Sequence, residues 1–221
     1  MPEILPMRFS PFGEAGLHCD AAGARLDHAV QERIWGLAEL VSGWPHLREV
    51  VPGMNNLLLV YDPAAADFEA MCAAVEQAWS TLDVERREGR IVEIPVRYGG
   101  EAGMDIEEVA HHAGLSVGAV AELHAASECT VYCLGSQPGF AYLAGMDERL
   151  ATPRRKVPRT RVKAGSLVIG GAQTGVISCD SPSGWHIIGR TETKLFDPDR
   201  EIPILLAPGD RIRFRIDEVR A

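Results

Sequence analysis

"SLVIGGAQTGVISCDSPSGWHIIGR", residues 166–190, decides the fold class. Its apolar runs, Leu167–Ile169, Val176 with Ile177, and Trp185–Ile188, are too short for helices and rich in β-branched residues. Gly170, Gly171, Gly175, Pro182, Gly184 and Gly189 divide them, which is the punctuation of strands and tight turns. Only Asp180 and Arg190 are charged between residues 170 and 190, so backbone and neutral side chains must supply the polar contacts there. The same pattern continues outward in "TVYCL" (130–134), "KLF" (194–196), "IPILL" (202–206) and "RIRFRI" (211–216). Many short strands at close spacing predict a closed barrel or sandwich with a few helices attached.

Upstream the pattern changes. Leu26, Val30, Ile34, Leu37 and Val41 recur at helical spacing, with Gly43 as a stop. A strand pair follows, ending at Val51 and resuming from Leu57 to Tyr61 across "PGMNN". Asp62-Pro63 is suited to cap a helix whose apolar stripe is Phe68, Met71, Cys72, Val75 and Trp79. The polar "LDVERREGR" (82–90) then reads as a linker. The expected organisation is a small α+β domain over 1–84 and a mainly-β barrel domain over 90–221.

Composition excludes several functions. The 221 residues carry 22 Lys and Arg against 31 Asp and Glu, a net charge of −9, which opposes nucleic acid and anionic membranes. Nowhere do 18 apolar residues run together, and the N-terminus lacks a basic run followed by an apolar stretch. The expectation is a cytoplasmic protein with no membrane or nucleic-acid partner. Five cysteines at irregular spacing predict free thiols, with neither a disulfide framework nor a zinc site.

Three motifs invite a function and fail on their chemistry. Residues 105–124 have helix-turn-helix spacing, with Asp105 and Glu108 as a capping box, Gly114 as a stop and Ser116 as the second cap. Residues 101–148, however, hold eight acidic residues and no Lys or Arg, so nothing there meets phosphates and a helical hairpin packed on the barrel is expected. "GWHIIGRT" (184–191) fits a phosphate loop only if Arg stands for Lys, and its bulky middle is strand-like. Cys179 or Ser181 with Asp180 and His186 would make a nucleophilic site only if geometry brought them together.

"TPRRKVPRTR" (152–161) holds five cations and no acid, kept extended by Pro153 and Pro158. Just before it, "GSQPGFAYLAG" (135–145) turns at Pro138-Gly139 and offers Phe140 and Tyr142. An apolar wall, a cationic strip and a neutral polar loop are the parts of a pocket for a small anion.

These stretches in order, "GSQPGFAYLAGMDERLATPRRKVPRTRVKAGS", "GGAQTG" and "SPSGWHIIGRT" followed by "LFDP", resemble the Kip-inhibitor family, also called allophanate hydrolase subunit 1 or carboxyltransferase subunits C and D. The resemblance implies a cyclophilin-like C-terminal barrel. Most bacterial members are similar to the B-type component of the ATP-dependent 5-oxoprolinase, which opens 5-oxo-L-proline to L-glutamate. It therefore implies a non-ATP-binding subunit, inactive alone, with no cofactor of its own and ATP at a partner subunit. The implied partners are a C-type carboxyltransferase-like subunit, an A-type subunit and a small anionic substrate. The family's pocket maps onto Pro138, Gly139, Phe140, Tyr142, Gln173, Thr174, Ser181, Gly184 and Trp185, and Arg154, Arg155 and Arg159 are added from the basic run. Ser136 stands where the family more often has an aromatic residue, and Ser183 where it has a second glycine. The family also contains a histidine-kinase inhibitor and domains of urea carboxylase, which give the alternative functions.

Overall fold

The structure, a computed structural model, describes residues 6–23, 26–84 and 89–221. Residues 85–88 of the expected linker lie outside that range. The chain divides into two compact units, Met1–Arg87 and Glu88–Ala221.

In the first unit β1 (Arg8–Phe12), β2 (Gly16–Asp20), β3 (Leu47–Pro52) and β4 (Asn56–Tyr61) form an antiparallel sheet in the order β1-β2-β4-β3. Alternation is clean on β4, where Leu57, Leu59 and Tyr61 are buried and their neighbours half-exposed. The buried residues meet Ile34, Leu37 and Val41 from α1 (His28–Val41) and Met71, Val75 and Trp79 from α2 (Phe68–Thr81) in one core. The expected cap at Asp62-Pro63 is corrected: Asp67 caps α2 by accepting from Ala70 N, while Asp62 accepts from Ala64 N in the turn before. Leu26 falls outside α1, whose cap is Asp27.

In the second unit β5 (Ile91–Gly99), β6 (Cys129–Leu134), β7 (Ala141–Ala144), β9 (Ser166–Gly170), β10 (Gln173–Val176), β12 (His186–Arg190) and β13 (Arg211–Arg220) close a barrel in the order β10-β7-β6-β13-β5-β12-β9. A two-stranded ribbon of β8 (Arg159–Val162) and β11 (Ser181–Ser183) stands apart from it. The barrel expected from the short apolar runs is present. "KLF" and "IPILL" are the exceptions, and meet only at an isolated bridge between Phe196 and Ile204.

The continuous apolar character of "LVI" and "HII" has a physical reason. Leu167, Ile169, Val176 and Ile188 point into the main barrel core, while their neighbours Val168, Ile177 and Ile187 join Phe140, Val162 and Trp185 in a second cluster. These strands are buried on both faces, so side-chain alternation divides two cores and not core from solvent. The helical hairpin is α3 (Ile106–Ala113) and α4 (Val117–Ala126), ended and capped at Gly114 and Ser116 as the spacing predicts. Asp105 makes no cap hydrogen bond, a correction to the expected capping box.

Candidate functional site

The second cluster floors a pocket on the outer wall of the barrel, beside the β8–β11 ribbon. Its volume is about 280 Å³, and Ser136, Gln137, Phe140, Tyr142, Arg154, Arg155, Pro158, Ile177, Pro182, Ser183, Gly184 and Trp185 line it. Of the site residues expected from the sequence it gathers Phe140, Tyr142, Arg154, Arg155, Gly184 and Trp185. Phe140 meets Tyr142 and Trp185 edge-on, with ring centres 5.1 and 6.0 Å apart. This edge-to-face trio is a rigid apolar wall. Trp185 lies against β9 because residue 170 is glycine: a Cβ there would sit 2.5 Å from the indole.

The β6–β7 connection places the polar side of the pocket. Phe140 N donates to Gln137 O at 3.1 Å, closing a turn over Pro138 and Gly139. Gly139 has φ +74°, and a Cβ there would meet the Leu195 carbonyl oxygen at 2.9 Å. Pro138 is exposed at the turn, so these two residues shape the pocket without lining it. Ser136 also has a left-handed φ, +65°, a strained conformation for a residue with a side chain. Gln137 ties the edge together: Nε2 donates to Ser181 Oγ at 2.6 Å, and Oε1 accepts from Cys179 Sγ at 3.2 Å. Ser181 thus acts on the pocket through Gln137. Gln137 is the site residue that sequence reasoning misses, and its only signal is its place inside the "GSQPG" turn.

The cationic strip is divided by one buried carboxylate. Asp105, 5% exposed, accepts from Arg155 Nη1 at 3.0 Å and from Arg159 Nη1 and Nη2 at 2.8 and 2.7 Å. The amide of Ile187 completes the set at 2.7 Å. Arg155 and Arg159 are therefore held as a structural cluster, and Arg159 does not line the pocket. Arg161 is paired with Asp180 at 2.7 Å. Arg154 differs. Its guanidinium carbon lies 5.6 Å from the Trp185 ring centre, a cation–π contact, and no carboxylate is paired with it among the described residues. It is the pocket's available positive charge.

Thr174 is elsewhere. It is fully buried in the barrel core, where its hydroxyl donates to Val168 O at 3.0 Å and meets His124 Nε2 at 2.8 Å. His124 Nδ1 lies 2.9 Å from the Tyr98 hydroxyl. The Val168 carbonyl only accepts, so the chain has one direction: Tyr98 donates to Nδ1, Nε2–H donates to Thr174, and Thr174 donates to Val168. Burial holds the His124 pKa down to about 3 and pushes that of Tyr98 upward. A substrate contact from Thr174 is thereby corrected to a core hydrogen bond. Gln173 pairs with Gly170 in the β9–β10 hairpin and is likewise not part of the lining.

The same geometry accounts for the other motifs. Residues 186–190 of the phosphate-loop match are strand β12. Asp180 is held below the usual carboxylate range by the Ala164 amide and the Arg161 guanidinium, and His186 Nε2 faces Pro153 O at 2.9 Å. Cys179, Asp180, Ser181 and His186 thus serve separate contacts. All five cysteines are free thiols, with Cys19, Cys129 and Cys133 buried. Asp105, Glu108 and His186 present ligand atoms within 4.8 Å of one another. Two arginines already occupy both Asp105 oxygens, so a metal ion at all three would have to displace them.

Known proteins are similar to this chain in sequence and in architecture. The model for the carboxyltransferase domain, subdomain C and D, matches residues 7–206. The B-type 5-oxoprolinase subunit of Escherichia coli O157:H7 is 46% identical over 187 residues, covering 84% of this chain and 85% of that protein. The crystal structure of TTHA0988 superposes with a TM-score of 0.79 at 38% identity over 92% of this chain. This chain spans 40% of the length of that solved chain. The K. lactis urea amidolyase gives a TM-score of 0.84 over 99% of this chain and 15% of its own, and at 17% identity that likeness shows the fold alone.

Proposed function

The chain belongs to the family of the carboxyltransferase domain, subdomain C and D, and from that premise we propose that it is the B-type subunit of a 5-oxoprolinase, opening 5-oxo-L-proline to L-glutamate together with partner subunits. The observation that carries the reading is the pocket at Trp185. It offers one cation without a paired carboxylate among the described residues, Arg154, against a wall of three aromatic rings, with Gln137 and Ser136 in the same lining. A small cyclic amide bearing one carboxylate matches that inventory. Its carboxylate faces Arg154, its ring methylenes face Trp185 and Phe140, and its amide edge faces Gln137.

An unstrained lactam resists hydrolysis because its nitrogen lone pair is delocalised into the carbonyl. Transfer of the terminal phosphoryl group from ATP to the carbonyl oxygen, with release of ADP, makes the ring carbon electrophilic; water then adds there, the C–N bond breaks as the nitrogen takes up a proton, and phosphate leaves, with the ATP site assigned to a partner subunit. The strand conformation of residues 186–190 supports that assignment, since they pair with Ile169, Val168, Leu167 and Ser166 and the Ile187 amide is held by Asp105. This chain binds and orients the lactam. Gln137 keeps one N–H and one lone pair beyond its bonds to Ser181 and Cys179, enough to hold both sides of an amide.

The test is reconstitution with the partner subunits, measuring glutamate formed from 5-oxo-L-proline. The reading predicts that turnover requires this chain. It also predicts that Arg154→Ala raises KM about tenfold to a hundredfold with kcat nearly retained, the pattern of lost ground-state binding. Turnover without the chain would overturn the proposal, and an unchanged KM would remove Arg154 from it.

A further inference from the structure

On the other side of the Arg154–Arg155 strip lies a second cavity of about 610 Å³, lined by Glu108, His111, His112, Thr152, Pro153, Arg154, Arg155, Lys156, Val157 and His186. We propose that it is an anion site selective for a protonated phosphate group, read by the buried His186 and the free Lys156. The inference concerns a separate cavity and does not rest on the 5-oxoprolinase reading.

The argument begins at His186, whose side chain is 3% exposed. Its Nε2 lies 2.9 Å from the Pro153 carbonyl, which only accepts, so the proton of the neutral ring is on Nε2. Nδ1 is then an acceptor, buried and without a hydrogen-bond partner among the described residues. Facing it at 3.5 Å is Glu108 Oε2, another acceptor. Two lone pairs opposed in this way call for a group that brings a proton. Arg155 Nη1 lies 3.5 Å from the same Glu108 oxygen, and its charge is already shared with Asp105.

The rest of the lining adds cations to the neutral Thr152, Pro153 and Val157. Lys156 and Arg154 are exposed and carry no paired carboxylate among the described residues, and His111 and His112 face the cavity from the last turn of α3. A cation is disfavoured beside three basic side chains and two engaged Asp105 oxygens. A carboxylate satisfies Lys156 but brings no proton. Hydrogenphosphate satisfies both: its hydroxyl donates to Nδ1, which the ionised Glu108 cannot do, and its ionised oxygens accept from Lys156. Sulfate, equal in shape and charge but fully ionised at neutral pH, lacks that donor. It is the natural control.

The experiment is calorimetric titration of the full chain with inorganic phosphate and with sulfate, at matched ionic strength and neutral pH. Phosphate is expected to bind at least about tenfold more tightly than sulfate. Lys156→Ala, on an exposed loop, is expected to weaken phosphate by about tenfold without changing thermal stability. His186→Gln keeps a donor for Pro153 and takes the acceptor away from the Nδ1 position, because its amide oxygen lies beside the donor nitrogen, so it is expected to abolish the preference for phosphate over sulfate. Equal binding of the two anions, or no phosphate binding, would overturn the proposal. So would one-to-one binding of zinc that is lost in His186→Gln while phosphate has no effect. Should His186→Gln fail to fold, the wild-type anion ratio and Lys156→Ala still decide the matter.

Discussion

At Asp105 one carboxylate takes four hydrogen bonds, three from the guanidiniums of Arg155 and Arg159 and one from the Ile187 amide. Removing its charge leaves Arg159 without a carboxylate partner among the described residues and Arg155 with only the exposed Glu108 at 3.5 Å, a loss that costs about 3–5 kcal/mol in comparable clusters. Asp105→Asn is therefore expected to destabilise the barrel unit by about 3 kcal/mol in urea unfolding at neutral pH, which a change within about 1 kcal/mol would contradict. Ser136→Gly acts in the other direction. Glycine tolerates the left-handed φ, so the variant is expected to gain about 1 kcal/mol of stability, measured the same way. Residues of this kind mark where sequence reading stops. The basic run is visible as charge, but the acid that holds Arg155 lies 50 residues earlier in the chain and looks locally like a helix cap. Thr174 stands in a loop-like, glycine-flanked segment, and only the fold shows its hydroxyl turned toward His124.

Among the elements, β9 and β12 are legible because burial on both faces leaves them as unbroken apolar runs. β8 and β11 are not, since "RTRV" and "SPS" carry no hydrophobic signal and exist through pairing with each other. "IPILL" misleads in the opposite sense: Leu205 and Leu206 pack on the barrel core while Ile202 is exposed, and Pro203 has no N–H to give a ladder. The β9 strand also sets the pocket through Gly170. Gly170→Ala is expected to push the Trp185 indole off its seat and lower reconstituted activity about tenfold or more, with a change in tryptophan fluorescence as the independent readout. Within the helical hairpin, α4 carries His124 into the barrel core, where it is buried as the neutral ring. The unfolded imidazole takes a proton below its ordinary value of 6.5, whereas the folded one does so only near pH 3. The unfolded state therefore binds more protons between those limits, and stability falls as pH drops from 6.5 toward 3, by about 1.4 kcal/mol per pH unit for one proton. His124→Gln, which keeps a donor for Thr174, is expected to flatten that slope in urea unfolding below pH 6.5; an unchanged slope would assign the acid sensitivity to other groups.

Across the whole molecule, each unit builds its own interior. The sheet and helices of the first unit enclose one core, and the barrel unit encloses another beside the smaller cluster under the pocket. Burial pushes the thiols of Cys19 and Cys129 up to about 12 and that of Cys133 up to about 11, so they resist modification. An alkylating reagent is expected to label only the half-buried Cys72 and Cys179 of the native chain, countable by mass spectrometry. Strand β13 carries a consequence of another kind. It runs parallel to β5, with Arg211 opposite Ile91 and Glu218 opposite Arg97, and antiparallel to β6. The Arg90–Asp210 pair at its start likewise joins groups 120 residues apart in the chain. Of the seven barrel staves it is the last to be synthesised, yet it is the one that joins β5 to β6. During translation the first unit has all its strands early, whereas the barrel waits as two unconnected edges until the final stave emerges. A ribosome stalled before residue 211 should therefore hold a protease-resistant first unit and a protease-sensitive second one, and the cell must shield those open edges for the interval.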